Sequence, residues 1–190
     1  GASRIAFTDE DGAEWSYRRL IDTVADVAGK MAELGVRPGD RVMVVCENSI
    51  AAIVLMYAAS RLDAWSVMTS ARLSSREIDL IKEDSSPRCV FYTHTISSEA
   101  DAHARRHGAT LEVFDEIGRV KVGSLDAGTM AESVESDPAK QVATLIYTTG
   151  TTGRPKGVML SHRNLAFVAC RGKLTKTILA DDVSLCLMPI

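Results

Sequence analysis

Nothing in this sequence argues for a membrane or a nucleic acid. The longest apolar run, residues 50–59, falls far short of the ~20 residues that cross a bilayer, and it lacks the flanks of a secretion signal. Charge of neither sign dominates: 22 Lys and Arg against 25 Asp and Glu leave a net charge of −3. That excludes the basic field that would draw a phosphate backbone or an anionic membrane surface. Cysteine is scarce and scattered. Cys46, Cys89, Cys170 and Cys186 form no Cys-x-x-Cys pair, so they read as neither zinc ligands nor a disulfide framework. Cys46, Cys89 and Cys186 lie in apolar strand-like runs and are expected to be small buried hydrophobes in a soluble, cytoplasmic protein. Internal repeats are absent, and one short loop apart there is no low-complexity segment.

What remains is ordinary globular material. Hydrophobic residues make up 46% and charged residues 25% of 190 positions, enough for one domain with a core or for a large piece of something bigger. The chain opens on Gly1-Ala2-Ser3 and stops on the apolar run Ser184-Leu185-Cys186-Leu187-Met188-Pro189-Ile190. A domain rarely ends on its stickiest segment, so the expectation is an N-terminal portion of a longer protein.

Periodicity supplies the elements. Residues 4–8 and 14–16 read as a hairpin around Glu10-Asp11-Gly12. A helix starts near Ser16, with Leu20, Val24, Val27, Met31 and Leu34 on one face and Gly35 ending it. A strand at 41–46 follows, then a helix at 50–62 entered through Glu47-Asn48-Ser49 and apolar nearly all round, which implies burial between layers. Next come a strand at 65–68, a helix from a Ser74/Glu77 capping box to about 83, and a strand at 88–93. A helix at 97–107 and a strand at 110–114 continue the series. Residues 115–137 read as an acidic surface connection with one short helix near Met130. The last elements are strands at 141–147 and 158–160, a helix capped by Ser161 running to about 179, and a strand at 183–188. Strand and helix alternating at this spacing predict an α/β fold, a layered and mostly parallel sheet flanked by helices.

One stretch carries chemistry: Tyr147-Thr148-Thr149-Gly150-Thr151-Thr152-Gly153-Arg154-Pro155-Lys156-Gly157. Its glycines let backbone N–H groups converge on an anion, its threonines add hydroxyls, and Lys156 supplies a mobile point charge for phosphate oxygens. Pro155 restrains the loop's end. A Walker A loop needs Gly-Lys-Ser/Thr opening a helix, whereas here the order is Pro-Lys-Gly and Val158-Met159-Leu160 reads as strand. Gly172-Lys173 is followed by Leu174 and fails as well. A flexible linker would lack flanking buried strands.

This stretch, continued by Val158 and Ser161-His162-Arg163-Asn164, resembles the signature loop of the adenylate-forming superfamily: acyl- and aryl-CoA synthetases, luciferases and peptide-synthetase adenylation domains. Thr149 stands where serine is usual, and Gly-Val-x-Pro-Gly-Asp-Arg-Val at 35–42 also fits. Between Leu62 and Ser74 the pattern departs, because Asp63-Ala64-Trp65-Ser66-Val67-Met68-Thr69-Ser70-Ala71 stands where the family usually carries a glycine and a proline- and asparagine-bearing turn. The resemblance implies ATP-dependent activation of a carboxylic acid through an acyl-adenylate, then transfer to coenzyme A, with Mg²⁺ bridging phosphates. It implies donors to the leaving pyrophosphate from Thr148, Thr149, Gly150, Thr151, Thr152 and Gly153, with Lys156 offsetting the developing charge as the catalytic residue. It also implies that adenine contacts, most of the acyl pocket and a second lysine lie in a C-terminal part of the same enzyme, and that this portion alone is inactive. Aryl-CoA synthetases, luciferases and peptide-synthetase adenylation domains share this loop, and within that set the acyl-CoA synthetase type is favoured by the run Pro155 to Asn164. The rival class is a non-catalytic nucleotide- or phosphate-binding module.

Other candidates are weaker. His103 and His107, four apart, could share a helix face as metal ligands, but Ala104-Arg105-Arg106 between them favours a solvated basic face. His94 receives no role. His162 either approaches substrate or lies at the surface, and Asp181-Asp182 reads as a turn rather than a metal pair.

Overall fold

The computed structural model describes residues 1–9, 11–115, 117–148, 154–175, 179 and 182–186. A two-stranded antiparallel hairpin, β1 (Ile5–Thr8) with β2 (Glu14–Ser16), leads into α1 (Tyr17–Glu33). Ser16 caps that helix by accepting from Arg19 N–H, and Leu34 closes it with Gly35 just beyond at φ +99°. β3 (Arg41–Cys46), α2 (Ile50–Arg61), β4 (Trp65–Ser70), α3 (Ser75–Ser85) and β5 (Cys89–Tyr92) follow. Then come α4 (Ser98–Arg106), β6 (Thr110–Phe114), β7 (Gly118–Val122), β8 (Val142–Thr148), β9 (Lys156–Ser161) and α5 (His162–Thr175).

Seven strands form the main sheet in the order β6-β7-β5-β3-β4-β8-β9. Its heart, β5-β3-β4-β8, is parallel, and β7 and β9 alone run against the others, so the expected mostly parallel sheet is present. β3 shows why residue alternation matters in a strand covered on both sides. Val42, Val44 and Cys46 join the core under α1 and α2, whereas Met43 and Val45 join the one under α3 and α4. α2 touches α1 on one side and β3 and β4 on the other, which is the burial its all-round apolarity predicted. The Ser74/Glu77 capping box forms in both directions, with Glu77 N–H donating to Ser74 Oγ and Ser74 N–H to Glu77 Oε2 at 2.8 Å. At the departure noted above, Asp63 itself takes the left-handed conformation, φ +55°, that a glycine adopts most readily.

Four expectations need correction. The middle segment is no plain connection, because β7 is a sheet strand between β6 and β5, and its alternating Val120 and Val122 are buried. No helix forms near Met130, where residues 130–135 run without regular structure. Residues 183–186 form no strand, and Val183 and Leu185 are exposed; Leu187 and Met188 lie outside the described residues. Cys186 is accordingly exposed, as is Cys170, while Cys46 and Cys89 are buried and their thiols are pushed up to about 12 by desolvation.

A buried ion pair fixes the sheet's amino-terminal edge. Arg88 Nε donates to Asp40 Oδ2 at 3.1 Å, and its other nitrogens donate to Asp126 O at 2.7 Å and Thr129 O at 3.0 Å. The guanidinium thereby clamps the irregular segment after β7 to the start of β3 and β5.

Candidate functional site

The connections between strands determine where a ligand can sit. α2, after β3, lies on one face of the sheet, and α3 and α4, after β4 and β5, lie on the other. Loops leaving the carboxyl ends of these strands therefore part to either side, the topology that opens a binding crevice at this edge of an α/β sheet. β8 runs parallel to β4, with Met68 beside Ile146, and delivers Thr148 to the same edge.

There the chain folds back as β9, antiparallel to β8, with Tyr147 opposite Gly157 and Thr148 opposite Lys156. The segment after the loop is thus strand, as the Pro-Lys-Gly order required, and β8 and β9 form the antiparallel stem that brackets the loop. Directly opposed residues project to the same face and successive residues to opposite faces. Thr148 and Lys156 therefore stand together on one face of the stem, both exposed, while Tyr147 and Gly157 share the other. A hydroxyl beside an ammonium group, both solvent-accessible, is a donor pair suited to phosphate oxygens. Thr149, Gly150, Thr151, Thr152 and Gly153 lie outside the described residues.

The far end of β9 is firmly tied. Ser161 N–H donates to Asn164 Oδ1 at 2.9 Å and Asn164 N–H returns to Ser161 Oγ at 3.3 Å, a capping box with asparagine in the acidic residue's place. His162, half-buried at the start of α5, donates its backbone N–H to Gln141 O at 3.2 Å. Asp182 accepts from Leu179 N–H at 2.7 Å, while Asp181 lies outside the described residues.

Two groupings were invisible in the sequence. Glu47 after β3, Arg72 after β4 and Ser97 before α4 meet at the carboxyl edge, Arg72 Nε donating to Glu47 Oε2 at 3.0 Å and Ser97 Oγ to Glu47 Oε1 at 3.1 Å. The Arg72 hydrogen bond holds the Glu47 carboxyl below its usual range. Tyr147 also donates its O–H to Asp84 Oδ2 at 2.5 Å, linking the stem to α3. Topology alone could have indicated the first grouping, since its members follow successive parallel strands.

The histidine pair is not a solvated basic face. His103 is buried, its Nε2 within 3.1 Å of Ala71 O, and Ala100 and Ala104 beside it are buried too. His107 is half-buried, its Nε2 2.9 Å from Asp79 Oδ1 and its Nδ1 2.5 Å from Tyr92 Oη. His94 is half-buried with Nδ1 lacking a hydrogen-bond partner, and desolvation lowers its affinity for a proton.

Comparison with known proteins agrees with the geometry. A sequence model described as AMP-binding enzyme matches residues 1–190. Feruloyl-CoA synthase from an Amycolatopsis species is 34% identical over 173 residues, covering 90% of this chain and 33% of that protein. ATP-bound MatB from Rhodopseudomonas palustris superimposes with a TM-score of 0.74 at 30% identity, covering 99% of this chain and 38% of that one. o-Succinylbenzoate CoA synthetase (MenE) from Bacillus subtilis, in complex with the acyl-adenylate intermediate OSB-AMP, gives 0.75 at 26% identity over 98% and 46%. The chain spans about a third of the length of the curated relatives it matches. A hairpin that sets a threonine against a lysine at the carboxyl edge of such a sheet, and a match running the length of the sequence, place this chain in the AMP-binding enzyme family.

Proposed function

We propose that the protein is an acid-thiol ligase that activates a carboxylic acid with ATP and passes the acyl group to coenzyme A. The observation that carries this reading is the register of the hairpin stem, Thr148 against Lys156, in a chain of this family. A carboxylate is a poor electrophile, so activation comes first. Its oxygen attacks the α-phosphorus, a new O–P bond forms, and the bond to the β-phosphate oxygen breaks with the electron pair leaving on pyrophosphate. Lys156 and the Thr148 hydroxyl face the charge that accumulates there and stabilise it more in the transition state than in ATP. The thiol of coenzyme A then displaces AMP from the carbonyl, losing its proton as the thioester forms.

Bound together with ATP, Mg²⁺ would supply positive charge to the phosphates alongside the Thr148 hydroxyl and Lys156. Among the described residues no group of three or more His, Cys, Asp or Glu side chains is arranged to hold a metal.

The chain is proposed to supply the N-terminal portion of the AMP-binding domain, with the adenine contacts and acyl pocket in the rest of the enzyme; by itself it forms no adenylate. A cytoplasmic location is proposed from its substrates, ATP and coenzyme A. No helix among the described residues is long and apolar enough to cross a membrane. The test is carboxylate-dependent exchange of labelled pyrophosphate into ATP by the intact protein across a panel of fatty, aryl and amino acids, followed by thioester detection with coenzyme A. Exchange with one acid class and thioester formation are expected. Tight nucleotide binding without exchange for any acid would overturn the reading.

A further inference from the structure

The loop-bearing end of β9 is held differently from its other end. β9 is the last strand of the sheet, and Gly157, Val158 and Met159 on it are exposed. At the other end Ser161 is tied to Asn164, and the next two residues, His162 and Arg163, donate their backbone N–H groups to Gln141 O and Pro138 O. At Lys156, among the described residues, the pairing to β8 is supplemented by one further tie, and it runs through Tyr147.

The tyrosine lies across its partner in the ladder. A Cβ on residue 157 would meet Tyr147 Cζ at 3.0 Å and Oη at 3.2 Å, so the ring occupies the space that glycine leaves. Beyond it, the Tyr147 O–H donates to Asp84 Oδ2 at 2.5 Å. Asp84 belongs to α3, whose Ile78, Ile81 and Ser85 are buried, so the acceptor rides on a packed helix rather than a loop. Burial and the neighbouring carboxylate keep the phenol protonated, hence a donor, throughout the neutral range.

We infer that Tyr147 and Asp84 are positioning residues: their hydrogen bond, seated across Gly157, sets the direction in which the stem presents Thr148 and Lys156 to the phosphates. This rests on the function proposed above. The stem's two faces then have separate duties, one gripping the nucleotide and the other fixing the grip to α3. Losing the tie lets the phosphate-facing pair wander and weakens ATP binding, without touching the carboxylic acid.

The experiment is pyrophosphate exchange by the intact protein, with KM for ATP and for the acid measured separately in each variant. The variants are Tyr147→Phe, Asp84→Ala, the two combined in one chain, Asp84→Asn and Lys156→Ala. Tyr147→Phe and Asp84→Ala are expected to raise the KM for ATP about three- to tenfold, the range for one lost hydrogen bond at a solvent-exposed pair. The KM for the acid and the thermal midpoint should stay put. The double replacement should be no worse than either single one, because both break the same bond. Asp84→Asn, whose amide oxygen still accepts, should recover most of the loss. An unchanged KM for ATP in Tyr147→Phe, equal shifts for both substrates, or additive effects would each overturn the inference. Lys156→Ala separates the two levels. If it abolishes exchange while Tyr147→Phe behaves as wild type, only the positioning role falls; if neither matters, the functional reading falls as well.

Discussion

Replacing Arg88 by methionine should be the most damaging single change in the sheet's foundation. The side chain is 4% exposed and its partner Asp40 is 0% exposed. Methionine preserves much of the aliphatic volume but removes every donor. The Asp40 carboxylate would retain the Arg37 N–H at 2.8 Å, and the carbonyls of Asp126 and Thr129 would lose their guanidinium donors. Breaking a buried pair by deleting one partner costs about 3–5 kcal/mol, mostly as the penalty of the stranded charge. For a chain of this size, where 1 kcal/mol corresponds to about 2–4 °C, the melting temperature should fall by about 6–20 °C. Urea unfolding of the chain, followed by circular dichroism, measures the change directly. Adding Asp40→Leu removes the stranded charge, so the double replacement should be more stable than Arg88→Met alone. A cost under about 1 kcal/mol for the single replacement, or a double replacement as unstable as the sum, would refute the reasoning.

Other outcomes follow from the same structure. Gly39→Ala places a Cβ 2.0 Å from the Glu132 carbonyl oxygen at a backbone φ of +80°, so it should lower the thermal midpoint even though it adds one methyl group. His107 has its proton affinity lowered from 6.5, first by desolvation and then by Arg106 and Lys82 against the pull of Asp79. The unfolded chain therefore binds more protons, and stability present above 6.5 is lost as the pH falls through the folded value; His107→Gln should flatten that acid limb of a stability profile. With thiols at about 12, Cys46 and Cys89 should resist alkylation at pH 8 in the folded chain while Cys170 and Cys186 react, which peptide mass spectrometry resolves.

Much of the fold was legible because local and tertiary preferences coincide in it. β3 is apolar on both faces because it is covered on both, and Ser74/Glu77 caps α3 through contacts within four residues. β7 escaped because Gly118-Arg119-Val120-Lys121-Val122 is short and carries two charges in five residues; its identity as a strand depends on β5 and β6 on either side. His103 was misread for a similar reason. Its spacing from Ala100 and Ala104 puts it on the apolar face of α4, but the carbonyls of Ala71 and Leu73 that satisfy it come from some 30 residues away. At the site, residue types and order in the loop pointed to phosphate before any geometry was known. Tyr147 looked like the end of a strand, since its partner Asp84 is 63 positions distant.

The pairing of Thr148 with Lys156 is the centre of the account, and Lys156→Ala in the intact enzyme probes it most directly. Carboxylate-dependent exchange of pyrophosphate into ATP should fall about 10²- to 10³-fold, the usual loss when one preorganised donor to a developing charge is removed. Exchange at the wild-type rate would contradict the claim that this hairpin holds the departing pyrophosphate.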